Sequence, residues 1–195
     1  MNHLAHFYLA YPDTGLMAGG FLGDFVKGTL KGKLPNELEQ GIRLHRAIDA
    51  FTDKHPIINH SRRRLDPEFR RYSGIICDIC FDHLLARNWQ NYSEMSLEIF
   101  STQAYQSVVN IRQHAPEKAI VSINRMRAHA ALESYQHEPF IDSALRHLST
   151  QLSRDNPLED GFSQFTEYRD ELTVDFRLFM PEISQFVRQW IVNAE

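Results

Sequence analysis

The sequence predicts an all-α protein, and three observations lead to this prediction. Alternating runs of Val, Ile and Thr, which are typical of strands, are almost absent, and no hairpin turn joins two such runs. Apolar residues instead recur at intervals of three and four. Prolines and capping residues precede several of these segments, as they do at helix starts. We therefore expect residues 1–195 to form a single domain, a helical bundle around one core.

The first half of the chain is expected to contain three helices. Residues 1–10 are largely apolar and form the first. Residues 41–55, GIRLHRAIDAFTDKH, place polar side chains at helical spacing and form the second. Asp66 and Pro67 supply a capping residue and a proline at the first helical position of the third, which is expected to end near Trp89.

Two helices are predicted in the middle of the chain. Ser93 is expected to cap a helix that ends near His114. Pro116 is expected to open another helix, which runs toward Glu133.

The last helical segment, residues 162–190, follows a loop at Asn156 and Pro157. Pro181 is expected to break or kink it, because proline lacks the amide hydrogen that a helix interior uses. Large apolar side chains recur in this segment at intervals of three and four, which predicts core packing rather than a ligand site. They are Phe162, Phe165, Tyr168, Leu172, Phe176, Phe179, Phe186 and Trp190.

The composition predicts a cytoplasmic protein without a membrane span. Hydrophobic residues make up 43% of the chain, which is enough for a core. No apolar run reaches the roughly 18 residues that a span requires, and the opening segment lacks the basic region and cleavage site of a signal peptide. Cys77 and Cys80, the two cysteines, lie in an apolar helical pattern. We therefore expect buried thiols rather than a redox or zinc motif.

Charge is unevenly distributed along the chain. The formal net charge is −4, but residues 27–71 carry +5 and the remaining residues −9. A basic segment on an acidic protein suits an anionic partner, although solvated helix faces would show the same composition. The acidic balance and the lack of a recognised binding module argue against nucleic acid. The early glycines match neither the dinucleotide-binding nor the P-loop pattern.

Three candidate metal ligands, His45, Asp49 and Asp53, follow one another at steps of four. On an α-helix these steps place the side chains along one face. Two carboxylates in line repel each other, and a shared cation or basic neighbours would relieve the repulsion. From this motif alone a solvated surface row is favoured, because such pairs are common on helix surfaces, and metal binding is the alternative.

A second candidate set lies in CDICFDHLL, where Asp78 and Asp82 also stand four residues apart and His83 follows. The surrounding residues are apolar, so this helix should be largely buried. Buried carboxylates are costly unless they are paired or bound to metal. The pattern predicts ligand or catalytic roles, and the alternative is a structural aspartate paired with Arg87.

His3, His6 and Asp24 extend the candidate set. Each alone fits a core residue as well as a ligand, but histidines and aspartates from separate helices are typical of helical metalloenzymes. Imidazole and carboxylate ligands without thiolate favour Mn²⁺, Mg²⁺ or Fe over structural zinc. Such a metal activates water and binds phosphoryl oxygens, which phosphoester hydrolysis requires.

Four blocks, in this order, resemble the acyl carrier protein phosphodiesterase family: MNHLAHFYLA, GDFVKG, GIRLHRAIDAFTD and CDICFDHLLARNW. This family is similar to the HD-type metal-dependent phosphohydrolases, so the resemblance implies an HD-domain-like helical fold. It also implies that a metal-activated water removes 4′-phosphopantetheine from holo-acyl carrier protein. The implied cofactor is Mn²⁺, with Mg²⁺ or Fe as alternatives. The chain departs from the usual HD pattern because it has no contiguous His-Asp pair.

The resemblance and the motifs together give a working mechanism. The predicted first metal shell consists of His6, Asp24, His45 and Asp78. Further ligands or water-orienting groups are Asp49, Asp53, Asp82 and His83. The groups predicted to act in catalysis are Asp24, Asp49 and Asp82, with Arg46 and Lys27 neutralising charge on the phosphoryl oxygens. The acidic carrier is predicted to dock on Arg62, Arg63, Arg64, Arg70 and Arg71.

Two alternative functions remain open from the sequence. The same metal site could hydrolyse a nucleotide or another small phosphoester. Alternatively, the chain could be a non-catalytic helical protein that binds the carrier and uses its histidines and aspartates structurally.

Overall fold

The structure, a computed structural model, describes residues 1–194, which form α-helices and short 3-10 helices without a β-strand. The predicted all-α class is therefore confirmed. The α-helices are α1 (His3–Ala10), α2 (Thr14–Leu22), α3 (Asn36–Lys54), α4 (Pro56–Arg64), α5 (Ser73–Arg87), α6 (Leu97–Asn110), α7 (Glu117–Ala128), α8 (Ala131–Ser134), α9 (Glu138–Gln151), α10 (Phe162–Glu167) and α11 (Arg169–Ala194). The 3-10 helices cover Pro67–Tyr72, Trp89–Asn91 and Pro157–Asp160. Among the described residues, no helix is both long and apolar enough to cross a membrane.

The helix expected from Asp66 begins later than the sequence indicated. Pro67–Tyr72 form a 3-10 helix, and α5 starts at Ser73. The Asp66 carboxylate does not cap a helix. It accepts hydrogen bonds from Gln164 Nε2 at 3.0 Å and from the Tyr168 hydroxyl at 2.9 Å. These distant partners satisfy the carboxylate, which explains why the local capping signal was misleading.

Two further boundaries differ from the prediction. Ser96, rather than Ser93, caps α6, and its hydroxyl accepts the Ile99 N–H at 3.3 Å. The helix expected to run toward Glu133 is divided between α7 and α8, because Ala130 adopts the left-handed conformation with φ 44°.

The predicted aromatic segment at the end of the chain is divided at Tyr168 into α10 and α11. Pro181 lies within α11 and does not end it. Half of the stripe is fully buried, including Phe165, Phe176 and Phe179, and the rest packs partly buried against the same core. The prediction that this stripe forms core is confirmed.

Helix α5 lies at the centre of the molecule and contacts α1, α4, α9 and α11. Cys77 and Cys80 are 1% and 0% exposed on it. Burial raises the pKa of the Cys77 thiol to about 12, so the thiol is protonated at neutral pH. Both cysteines are therefore buried core residues, as the sequence predicted.

Helices α2 and α3 pack backbone against backbone. A Cβ placed on Gly19 would lie 2.8 Å from the Cα of Gly41, and one placed on Gly41 would lie 2.6 Å from the Leu16 carbonyl oxygen. Only glycine permits so close an approach. This contact fixes α3, which carries the candidate ligands, against the segment that leads to Asp24.

Candidate active site

A polar cavity of about 320 Å³ opens where α1, α3 and α5 meet the residues that follow α2. It brings together candidate ligands that are far apart in the sequence. The lining residues are Met1, Asn2, His3, His6, Asp24, His45, Asp49, Thr52, Asp53 and Asp78.

His6, His45 and Asp49 form the densest cluster in this cavity. Nε2 of His6 lies 3.1 Å from Oδ1 of Asp49, and Nε2 of His45 lies 3.1 Å from Oδ2. The two imidazole rings are 4.2 Å apart between centroids. One ligand atom from each residue lies within 4.8 Å of the others, so the three side chains could share one cation.

The surroundings of His6 and Asp49 favour the protonation states that a metal site requires. Burial lowers the pKa of His6 to about 4, and its hydrogen bond to Asp49 limits the fall. Burial opposes ionisation of Asp49, but the hydrogen bonds from His45 and His6 lower the pKa of that carboxyl well below its usual value. Neutral imidazole and charged carboxylate are the forms that bind a cation.

The second nitrogens of both imidazoles are unsatisfied. Nδ1 of His6 and Nδ1 of His45 are buried without a hydrogen-bond partner among residues 1–194. Nε2 is thus the nitrogen that faces the shared carboxylate on each ring. Two imidazole nitrogens and a carboxylate oxygen within 4.8 Å of one another fit a divalent cation such as Mn²⁺, Mg²⁺ or Fe.

Asp24 lies at the rim of the cavity, with its side chain 45% exposed. One oxygen is 3.6 Å from Nδ1 of His3, and the other is 3.7 Å from Nε2 of His45. These distances exceed those of hydrogen bonds. The carboxylate is therefore close to the histidine cluster and has oxygens available to water or a cation.

The position of the His45 ring depends on Gly23. A Cβ placed on Gly23 would lie 2.5 Å from Cγ of His45, so any larger residue must displace the ring. Gly23 ends α2 directly before Asp24. The glycine therefore allows the Asp24 segment to approach α3 closely.

Two other predicted ligands line the cavity but already have cationic partners. The Met1 ammonium donates to Asp78 at 2.6 Å. Arg62 donates to Asp53 at 2.7 Å. Both carboxylates would have to exchange these partners to bind a metal directly.

Asp82, predicted as a ligand or base, does not line the cavity. Its side chain is fully buried, and its oxygens accept the N–H groups of Asn2 at 3.2 Å, Leu4 at 2.7 Å and Ala5 at 3.3 Å. Burial raises the pKa of Asp82 to about 7, and the nearby ammonium and the three N–H groups limit the rise. Asp82 satisfies the free N–H groups at the start of α1. Asp82 was predicted as a ligand and catalytic group, and the structure places it at the start of α1, outside the cavity lining.

His83 also points away from the cavity. Its Nδ1 lies 2.7 Å from the Tyr135 carbonyl oxygen, and its ring packs edge-on against Phe165. His83 was predicted as a further ligand, and the structure places it outside the cavity lining. His83 directly follows Asp82 in the apolar sequence of α5, which suggested a shared site. Neighbouring residues on a helix point in different directions, so the two side chains have different surroundings.

Arg46 and Lys27 lie beside the cavity rather than in it. Both line an adjoining open pocket of about 400 Å³, together with Asp24, His45 and Asp49. The Arg46 guanidinium donates to the Val26 carbonyl oxygen at 2.9 Å and so holds the segment that follows α2.

The five arginines predicted to bind a partner occupy different environments. Arg62 is tied to Asp53 at the cavity edge, and Arg64 to the buried Asp175 at 3.1 Å. Arg64 therefore stabilises the contact between α4 and α11. The other three are exposed on α4 and the adjacent 3-10 helix: Arg63, Arg70 and Arg71.

Sequence reasoning missed Thr52 and Asn2, which also line the cavity. Thr52 is 2% exposed, and its hydroxyl has no hydrogen-bond partner among the described residues. It follows Asp49 by three positions and therefore continues the face of α3 that carries His45. This spacing was the sequence feature that could have identified Thr52 as a lining residue. Asn2 has no such signal, because it lies outside the first helix.

Comparison with known proteins identifies the family. The sequence profile of the family described as "Acyl carrier protein phosphodiesterase" matches residues 1–183. The chain belongs to this family. No solved structure matches the chain.

Curated relatives carry the same description and cover almost the whole chain. The acyl carrier protein phosphodiesterase of Escherichia coli O6:H1 is 31% identical over 186 residues, which cover 95% of this chain and 96% of the relative. The protein of the same description from Klebsiella pneumoniae strain 342 is 30% identical over 184 residues, or 94% and 95% of the two chains. The protein from Enterobacter sp. strain 638 is 31% identical, with the same coverage.

Proposed function

We propose that this chain is a hydrolase that removes phosphopantetheine from holo-acyl carrier protein and releases the apo-carrier. The observation that carries the proposal is the cluster of His6, His45 and Asp49 in an open polar cavity of a family member. The cavity wall is almost entirely polar and carries several carboxylates. Such a wall does not suit an acyl chain, and a cation held by its carboxylates would attract an anionic phosphodiester.

We further propose that His6, His45 and Asp49 hold a divalent cation, Mn²⁺ or alternatively Mg²⁺ or Fe. A divalent cation at such donors lowers the pKa of a bound water and polarises phosphoryl oxygens. Asp24 is near enough to complete the ligand set. Histidine and aspartate donors from separate helices support the proposed relation to the HD-type phosphohydrolases, although a contiguous His-Asp pair is missing.

The surrounding residues orient the reactants. The Asp24 carboxylate, at the cavity rim, can accept a hydrogen bond from the attacking water. In the reaction the water oxygen bonds to phosphorus, the bond between phosphorus and the serine oxygen breaks, and the serine oxygen takes up a proton. Arg46 and Lys27, in the adjoining pocket, are placed to neutralise charge on the phosphoryl oxygens.

We propose that the exposed arginines beside the cavity help to dock the carrier. Arg62 marks the edge of the cavity through its bond to Asp53. Arg63 follows it on α4, Arg70 and Arg71 lie on the adjacent 3-10 helix, and all three are exposed to meet an acidic protein surface. Arg64 is excluded because Asp175 already binds it. The cytoplasmic location remains a prediction from the sequence.

The direct test is intact-mass analysis of holo-acyl carrier protein after incubation with the purified protein and Mn²⁺. Loss of the phosphopantetheine mass, abolished by a chelator, is the expected result. The variant Asp49→Asn should lose at least 100-fold in turnover, because the amide supplies neither the charge nor both ligand oxygens. The matched control is Asp142→Asn, since Asp142 pairs with Arg146 on the surface of α9 and lies outside the cavity lining.

The same experiment separates the alternative functions. Turnover of bis(4-nitrophenyl) phosphate without any turnover of holo-carrier would favour a small phosphoester as substrate. Carrier binding without turnover, in the presence of Mn²⁺, would favour a non-catalytic binding protein. Either result would contradict the proposed function.

A further inference from the structure

The segment that joins α2 to α3 is strongly basic. Residues 25–36 contain three lysines, Lys27, Lys31 and Lys33, and no acidic residue, in a protein with a net charge of −4. Lys31 and Lys33 are exposed, and neither forms an ion pair within residues 1–194. Three uncompensated positive charges on one short segment attract an anionic surface.

This lysine segment is held in place although it lacks secondary structure. Arg46 donates to the Val26 carbonyl oxygen at 2.9 Å near one end, and the Lys33 N–H donates to Glu39 at 3.1 Å near the other. Leu30 and Leu34 pack partly buried against the core. The apolar residues thus fix the backbone, while the lysine side chains remain in solvent.

The start of the lysine segment and Arg62 lie at opposite ends of the cavity, and Lys33 lies further along the segment, where its N–H donates to Glu39 near the start of α3. Lys27 lies beside Arg46 on α3, in the pocket next to the histidine cluster. Arg62 is bound to Asp53, two turns further along α3. Asp53 lies seven positions after Arg46 on this helix, a distance of about 10 Å. The cavity is therefore flanked by basic residues on both sides.

We propose that Lys31 and Lys33 form a second docking surface for an acidic protein substrate. This inference rests on the proposed function, in which that substrate is the carrier protein. Neither lysine lines the cavity or the adjoining pocket, so a small phosphoester bound there would not reach them. A protein whose carboxylates surround the modified serine would be held on both sides of the scissile bond. The two basic surfaces would then orient the modified serine toward the cavity as well as attract the substrate.

The test is the double variant Lys31→Glu/Lys33→Glu, assayed with holo-acyl carrier protein and with bis(4-nitrophenyl) phosphate. The KM for holo-carrier should rise about tenfold, since two exposed attractions become repulsions. The kcat for the carrier should stay within about twofold, because neither lysine touches the reacting groups. The kcat/KM for the small phosphodiester should not change.

The matched control is Lys118→Glu/Arg127→Glu on α7, which makes the same change in net charge at exposed positions outside the cavity lining. This control should leave the KM for carrier near the wild-type value. An equal rise in both double variants would show a general charge effect and overturn the docking surface. An unchanged KM in the lysine variant would also overturn it, while wild-type turnover would leave the proposed function standing.

Two further outcomes keep the hypotheses distinct. Loss of activity on both substrates in the lysine variant would place the segment in the catalytic site and contradict a docking role. Failure of the wild-type protein to act on holo-carrier would instead reject the proposed function itself.

Discussion

The ring of His45 packs against the backbone of Gly23, and this contact makes a residue-scale prediction possible. The variant Gly23→Ala should lose roughly tenfold or more in kcat, because the new Cβ must push the imidazole away from Asp49. The fold should persist, since the ring lies beside an open cavity and can move. The measurement is steady-state turnover of holo-carrier, together with the far-UV circular dichroism spectrum.

Gly20 provides the matched control for this prediction. It lies on the same helix, but a Cβ placed there meets no atom within 4 Å. Gly20→Ala should therefore keep its activity and gain roughly 0.5–1 kcal/mol of stability, as expected for alanine in a helix interior. Equal turnover in the two variants would contradict the proposed packing role of Gly23.

At this scale the sequence could identify some site residues but not all. The spacing of His45 and Asp49 on α3 predicted a shared face, and the structure places both in one cluster with His6. The same spacing of Asp78 and Asp82 on α5 did not bring both side chains to the cavity, which Asp78 lines and Asp82 does not. Apolar surroundings indicate that a carboxylate is buried and needs partners, but they do not show whether the partner is a cation or the free N–H groups of another helix.

Asp82 of α5 anchors the start of α1, so this interaction joins two helices. Asp82→Ala would leave three N–H groups of the α1 start without an acceptor. The free energy of unfolding should fall by about 1–3 kcal/mol, measured by urea denaturation. Asp82→Asn keeps one acceptor oxygen and should give a smaller loss.

The control for the anchor is Asp142→Ala, which removes a surface carboxylate of α9. Its effect should stay within about 0.5 kcal/mol, as for most surface substitutions. If Asp82→Ala is no more destabilising than this control, the N–H groups of α1 do not depend on Asp82.

At the scale of elements, the sequence predicted helix type more accurately than helix ends. The aromatic stripe of 162–190 identified core-facing helix, but it did not reveal the division at Tyr168. The signal at Asp66 failed because Gln164 and Tyr168, about 100 residues away, take the carboxylate that would cap a local helix. Short-range patterns do not contain such long-range partners.

On the scale of the whole molecule, the cavity joins residues from distant parts of the chain, so a bound cation should stabilise the entire fold. At 100 times its Kd, a ligand specific for the folded state contributes about 2.7 kcal/mol. For a chain of this length the Tm should rise by about 5–10 °C. Thermal unfolding with Mn²⁺ and with a chelator measures this shift.

The variants described above separate specific binding from general salt effects. Asp49→Asn should abolish most of the Mn²⁺-dependent rise in Tm, whereas Asp142→Asn should preserve it. If Asp49→Asn keeps the full Mn²⁺-dependent rise in Tm, the cation binds outside the histidine cluster, whatever the activity of either variant.

The bonds between Asp82 and the start of α1 also have a consequence for the order of events during synthesis. Leu4 and Asp82 are 78 residues apart in sequence. At ribosomal rates this interval lasts roughly 4–15 s. Until it has passed, the first N–H groups of the helix that carries His6 lack the carboxylate that accepts them in the folded protein, and the contacts of this helix with α5 cannot form. The α1 segment, which carries His6, is therefore among the first to be made, but it is anchored at its start only after α5 has been synthesised.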